Sequence, residues 1–432
     1  MTESIGLEAF ESTALRPAPG ELFNPPGLTN FLGCLQAAPC AMAVNHLTFP
    51  PYSHGDTPLG TLTVNGRCLA RSGLPIAYRW RPDRIAREVA VDGLHIATRT
   101  VLGVGAPTAG VALTVRNDTG TTRRVELAIR AAGGVIHSRD GWHTPYSPRE
   151  APAISVTPWE GAPPPESLVR NGVEVLPGGS GLLFRSVTSR AFSLQTTAPA
   201  PDAIERTTFR FVFELTTGAS RTLHYLVADG PDPAALARTA AAWRADPEAM
   251  FRDAEAFWAA EVDAAFTPQN SRYSGHLPVL VTRNADLRRI YLNTVIGALY
   301  FKREPLECAF GRTYATLMPR YWVTTSVLND WSLSAWLLAL LDPACVKKQV
   351  ELWLTRPMDA HFGTEYVSGG NQGNWYSCND FALCRLIGTY LRVTGDRAWL
   401  GARVGNQTVR AHLQRIAEHH ARLDRGSGLA DG

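Results

Sequence analysis

Apolar residues recur with a period of two through much of the first half of this chain and with a period of three to four through the second. That change of rhythm predicts two kinds of domain. From about Gly60 to Asp229 the alternation is mostly strand-like. Gly60–Gly66 reads as a strand closed by an Asn65-Gly66 turn. His95–Leu102, Ala109–Arg116, Arg123–Ile129, Gly181–Ser189, Thr208–Thr216 and Ser220–Ala228 continue the pattern. Many short strands with frequent turn signals and no helical pattern among them predict a large antiparallel sandwich. Residues 1–60, rich in proline, glycine and small side chains, read as loops and short strands on its surface. The proline-rich piece Ala151–Glu166 reads as a long loop across it. Gly103-Val104-Gly105 and Gly178-Gly179-Ser180-Gly181 lack the spacing that cradles phosphate, and read as turns.

At Pro231 the period switches. Asp232-Pro233 opens a helix with an acidic N-cap and proline in the first turn. Helical pattern continues, with a break near Asp246-Pro247, to about Phe266. A further helix begins at Asn284. Leu287, Ile290, Tyr291, Thr294, Val295, Ala298 and Leu299 fall on one face of it. Then come Leu328–Leu341, ending at Asp342-Pro343, followed by Ala344–Thr355, Tyr376–Thr394 and Gln407–Asp424. In the last, Val409, Leu413, Ile416, His420 and Leu423 form the apolar stripe. The expected organisation is a β-sandwich domain over 1–230, a helical linker over 231–275, and a helical domain of about five helices over 276–432.

Composition narrows the function classes. The 432 residues suffice for two or three cores, and 45% apolar with 19% charged residues is ordinary for a globular protein. The net charge is +3 and the arginines are scattered, so no basic block points to nucleic acid or a membrane surface. The seven cysteines include no C-x-x-C pair, and they read as reduced thiols of a cytoplasmic protein. The N-terminus lacks the basic and apolar regions of a signal peptide. No apolar run is long enough for a membrane span. No cofactor fingerprint is present, and no cofactor or metal is expected. His419 and His420 are adjacent, so a helix sends them to different sides, and they read as structural or solvent-facing.

Candidate chemistry gathers around Asp330. It stands between Asn329 and Trp331, at the start of a long apolar helix, just after Tyr321 and Trp322. A helix start favours an anion through unpaired amides and the helix dipole, which suits an N-cap as well as a catalytic acid. Apolar neighbours such as Trp322 and Trp331 would disfavour its charged form, as a general acid needs. The stretch between Arg356 and Tyr376 is long and polar for a loop inside a helical domain, which points to function. It offers Glu365, Asn371, Gln372, Asn374, Trp375 and Tyr376. Asn379 and Asp380 follow at the next helix start, again open to a capping role. Indole faces stack on sugar rings, while amides and carboxylates bond hydroxyls. Carboxylates among aromatics in a polar pocket suggest glycoside hydrolysis, in which one carboxyl protonates the leaving oxygen and another activates water or attacks carbon.

These residues carry a resemblance. The layout resembles the six-hairpin glycoside hydrolases, which have an N-terminal antiparallel β super-sandwich, linker helices and an (α/α)6 helical toroid. Within them, Asn329-Asp330-Trp331 followed by an apolar helix and Asp342-Pro343 looks like the signature of the glycoside hydrolase family 63 glucosidases. Leu386–Leu400 and Arg422–Gly432 are similar to the helix end and following loop common in these barrels. The motifs cover about Asn284–Gly432; the sandwich agrees by architecture. The resemblance implies Asp330 as general acid of an inverting enzyme acting on α-glucosidic or related linkages. It implies a sugar site lined by Trp322, Trp331, Glu365, Trp375, Tyr376, Asn379 and Asp380. Asn329 stands where the family has tryptophan. A full (α/α)6 toroid needs twelve helices, and about five are legible here. The expectation is a C-terminally truncated chain with a partial toroid, the catalytic base missing, and self-association through the open half-barrel. A glycoside phosphorylase and a non-catalytic carbohydrate-binding protein are the alternatives.

Overall fold

A computed structural model describes residues 5–18, 21, 24–55, 57–137, 170–315 and 324–423. The chain is a multidomain β + α protein with two compact units. The described residues of Gly6–Pro148 and Pro158–Ala259 form one, and those of Met1–Ile5, Arg149–Thr157 and Ala260–Gly432 the other. Ala151–Glu166, Tyr321 and Trp322 lie outside the described residues.

The first unit is built on an eight-stranded antiparallel sheet. Its order is Asn171–Val175, Leu182–Ser186, Phe192–Ala198, Ser220–Gly230, Thr108–Asn117, Leu94–Leu102, Arg84–Val91 and Ala77–Arg81. A second sheet runs Ala203–Glu205, Thr208–Leu215, Arg123–Arg130, Thr61–Val64 and Arg67–Cys68. Alternation explains the pairing. In Thr208–Leu215, Phe209, Phe211, Phe213 and Leu215 are buried, while Arg210, Val212 and Glu214 face out. They join Ile96, Val111, Leu113 and Tyr225 of the larger sheet in one core, the two-layer arrangement that alternating strands predict. Residues 1–60 carry more strand than their composition suggests. Gly27–Thr29, Cys34–Ala37, Val44–Phe49 and Tyr52–Ser53 form a third sheet with Ile136–His137. Cys34–Ala37 is buried throughout, so it shows no alternation to read. The other face of the large sheet is covered by helix α1, Pro233–Ala245, whose Leu236, Ala240 and Trp243 pack on Leu194, Leu226 and Ala228. Asp232 caps α1, accepting from the Ala234 amide at 2.9 Å. Helix α2, Ala249–Phe266, follows.

The second unit contains α3 (Ala285–Phe301), α4 (Leu328–Leu333), α5 (Ala335–Leu341), α6 (Pro343–Leu354), α7 (Asn379–Thr394), α8 (Val409–Ala417) and α9 (His419–Leu423). Two expectations change. The Leu328–Leu341 helix is broken at Ser334, whose ψ is 7°. The Ser332 hydroxyl donates to the Asn329 carbonyl at 2.7 Å, competing with the backbone ladder at the bend. In α3 the buried face is Leu292, Val295, Ile296, Ala298 and Leu299, whereas Leu287 and Ile290 are exposed. The core of the unit gathers Trp331, Leu338, Val346, Val350, Trp353, Leu386, Ile387 and Trp399. All seven cysteines are unbridged. Among the described residues, no helix is long and apolar enough to cross a membrane.

Candidate functional site

The strand Thr325–Val327 runs directly into α4 and pairs with Gly363–Glu365, Val327 facing Gly363. Gly363–Glu365 pairs in turn with Asn371–Gln372. This small sheet ties the long polar loop to the start of α4. A Cβ at Gly363 would lie 2.5 Å from the Ser326 carbonyl oxygen, so the pairing needs glycine there. The Leu328 amide donates to the Phe362 carbonyl at 3.1 Å, closing the junction. Asp330 sits in the first turn of α4, half-buried; Val327 holds the N-cap position. Asp330 is therefore not the capping residue.

The loop presents its aromatics to this junction. Tyr376 stacks on Phe362 with ring centroids 5.0 Å apart and planes 9° apart. Gly373 makes the stack possible: its φ is 64°, and a Cβ would fall 1.7 Å from the Phe362 ring. His361 Nδ1 donates to the Gly373 carbonyl at 2.8 Å. The Asn379 amide group, fully buried at the start of α7, donates to the carbonyls of Met358 at 3.0 Å and His361 at 2.7 Å. Tyr376 is 40% exposed. Burial first, then Cys378 and Asp330, pushes its phenol above the ordinary value. Asp380 accepts from His419 Nδ1 at 2.6 Å, and the His419 ring meets Trp375 edge-on at 5.6 Å.

Contacts therefore link Phe362, Tyr376, Asn379, Asp380, His419 and Trp375 around one loop, which the small sheet ties to the start of α4, where Asp330 stands. Trp331 faces elsewhere. It is 0% exposed, donates to the Tyr314 carbonyl at 2.9 Å, and packs edge-on against Tyr314 and Trp353. It points away from Asp330, because one residue along a helix turns the side chain by about 100°. Glu365 is also turned inward. Its carboxylate accepts from the amides of Val367 at 2.9 Å and Ser368 at 2.6 Å and from the Ser368 hydroxyl. It staples the hairpin turn. Trp322 lies outside the described residues. Two participants escape a reading of the sequence. Phe362 looks like an ordinary core residue, and only Gly373 eleven positions on hints at the close approach. His419 is 39 residues from Asp380, and no local spacing announces their pairing.

A half-buried carboxylate, a partly exposed phenol, an indole and a carboxylate–imidazole pair can together bind hydroxyl-rich molecules and move protons. Among the described residues, no group of three or more His, Cys, Asp or Glu side chains converges as a metal site would require. The same unit has a cleft of about 750 Å³ lined by Arg272, Tyr273, Glu304, Arg312, Asp342 and Lys348. Arg312 bonds Glu304 at 2.6 Å and Asp342 at 3.0 Å. Asp342 also accepts from Ser274 at 2.8 Å and from the Tyr314 hydroxyl at 3.2 Å. These charges satisfy one another and fix the corner between α5 and α6.

No protein-family profile matches the chain, and no curated protein sequence does either. Solved structures do. A protein described as a kojibiose phosphorylase, from the human microbiome, superposes with a TM-score of 0.51 at 10% identity, over 90% of this chain and 56% of its own length. A bacterial glucoamylase solved with acarbose superposes with a TM-score of 0.51 at 8% identity, over 96% of this chain and 60% of its own. The likeness is one of fold, and this chain spans less than two thirds of either structure.

Proposed function

We propose that this chain carries the sandwich and the first helical hairpins of a six-hairpin carbohydrate-active enzyme, with 231–275 as linker and 276–432 as part of an (α/α)6 toroid. Asp330 acts as general acid toward a glycosidic oxygen. Tyr376, Trp375 and the Asp380–His419 pair contact the sugar. The observation that supports this reading is the junction itself, where Asp330 lies in the first turn of α4 and the small sheet ties that turn to the loop bearing the Phe362–Tyr376 stack. Glu365 is committed to its own turn, and Trp331 to the core, so neither belongs to the sugar-facing set. The second carboxylate of an inverting pair would come from further helices of the toroid, in a longer chain or a second copy. The two similar folds include a hydrolase and a protein described as a phosphorylase, so water and phosphate are both admissible acceptors.

The test is hydrolysis of a panel of nitrophenyl glycosides, with and without phosphate, beside calorimetry with α-glucans. Asp330→Asn should abolish turnover, by about a hundredfold or more, while sugar binding persists. Turnover unchanged in Asp330→Asn would remove the assignment. Strict phosphate dependence would select the phosphorylase reading, and binding without any turnover a carbohydrate-binding role.

A further inference from the structure

A second cavity of the helical unit, of about 350 Å³, shares no lining residue with the junction around Asp330. That volume lies at the small end of clefts that hold small molecules, about 300–1,000 Å³. One wall is α6, which contributes Lys348, Gln349 and Glu351; Phe310, Arg312 and Arg403 face them. Gln349 is 2% exposed. Its Oε1 accepts from the Thr313 hydroxyl at 3.0 Å, which fixes the amide, and its Nε2 has no acceptor. A buried amide donor without an acceptor is costly, and native proteins leave few of them. Gln349 lines this cavity, so an acceptor bound there stands beside its amide.

The surrounding charges say what kind of acceptor fits. Arg312 is neutralised by Glu304 and Asp342. Lys348 forms no ion pair with any described residue, and its ammonium lies close enough to the Cys308 and Cys345 thiols to lower their pKa values against the larger effect of burial. Arg403 bonds the Asn406 carbonyl at 2.9 Å and pairs with no described acid. The one carboxylate on the wall, Glu351, accepts from the Trp399 indole at 2.8 Å. Lys348, Arg403 and an orphaned amide donor thus line the cavity beside the apolar Phe310, and the Glu351 carboxylate is directed to the Trp399 indole. We propose that this cavity binds an oxyanion-bearing ligand of monosaccharide size or smaller, with Lys348 and Arg403 on the anionic group and the Gln349 amide donating to an oxygen. Acidic sugars and free phosphate share this chemistry.

Calorimetry on the whole chain with glucuronate, glucose 6-phosphate, inorganic phosphate and glucose tests it. Glucuronate and glucose 6-phosphate should bind saturably, and glucose should not. Inorganic phosphate binding as tightly as glucose 6-phosphate would assign the ligand to a free oxyanion; markedly weaker binding would assign it to an acidic sugar. Lys348→Ala should weaken binding about tenfold or more, the loss of one charge-assisted hydrogen bond. Lys348 and Arg403 are exposed, so Lys348→Ala and Arg403→Ala should keep the circular dichroism of the parent, and Gln349→Met checks the buried donor. The inference fails if no anion binds more tightly than about 1 mM, or if binding is indifferent to Lys348→Ala and Gln349→Met. Asp330→Asn should leave this binding intact, which separates the result from the glycosidase reading.

Discussion

Replacing Gly373 by alanine should damage the junction more than any other single methyl group on the loop. The new Cβ would lie 1.7, 2.2 and 2.7 Å from three atoms of the Phe362 ring. Restoring an ordinary contact of about 3.5 Å needs a shift near 3.5 − 1.7, about 1.8 Å. Phe362 is 4% exposed and its carbonyl holds the Leu328 amide, so the loop rather than the ring must move. Alanine at φ 64° costs about 1–2 kcal/mol. Loss of the Phe362–Tyr376 stack adds about 0.5–1.5 kcal/mol, and loss of the His361–Gly373 hydrogen bond a similar amount. The sum is roughly 2–5 kcal/mol. Gly370→Ala is the control, since its Cβ would meet only the Ser368 hydroxyl at 3.2 Å; it should cost under about 1 kcal/mol. Urea unfolding followed by tryptophan fluorescence reads the second unit well, because six of the eleven tryptophans lie from Trp322 onward. Equal unfolding free energies for Gly373→Ala and the parent would refute the packing described.

Glu365→Ala should lower stability by about 2–4 kcal/mol, with Glu365→Gln intermediate, because two amides and a hydroxyl lose a charged acceptor; a sugar-binding Glu365 would instead change calorimetric affinity at constant stability. Trp331→Ala should cost about 3–5 kcal/mol, while Trp336→Ala, at 49% exposure, should stay within about 0.5 kcal/mol by the same unfolding assay. Burial and the Glu261 carboxylate hold the Tyr273 phenol well above its ordinary value. A raised folded pKa gives stability that is complete below the unfolded value near 10 and is lost as pH rises beyond it. Urea titrations should therefore show a decline above about pH 10 that is shallower in Tyr273→Phe.

The sandwich was the most legible part of the chain, because strands such as Thr208–Leu215 place phenylalanines on one side and charges on the other. Cys34–Ala37 hides from such a reading by being buried on both faces. The Asp342-Pro343 corner is visible in sequence because proline cannot extend α5. Helix phase was harder. Leu287 and Ile290 continue an apolar pattern yet stay exposed, since the pattern gives a stripe and not the partner that would cover it. Trp331 beside Asp330 suggested an aromatic rim, and only the rotation of α4 decides that it faces Trp353. The Asp380–His419 pair depends on two helices meeting, which no local spacing encodes.

The strand Thr325–Val327 also bears on how the chain can vary without losing its acid. Extra residues in the Tyr366–Gly370 turn extend the hairpin outward and leave Val327 opposite Gly363. One residue inserted between Val327 and Asp330 would swing the carboxylate by about 100° around α4, away from Tyr376. Length variation should therefore be tolerated at the hairpin tip and refused across the three positions that join strand to helix, an asymmetry that a library of single-residue insertions would map directly.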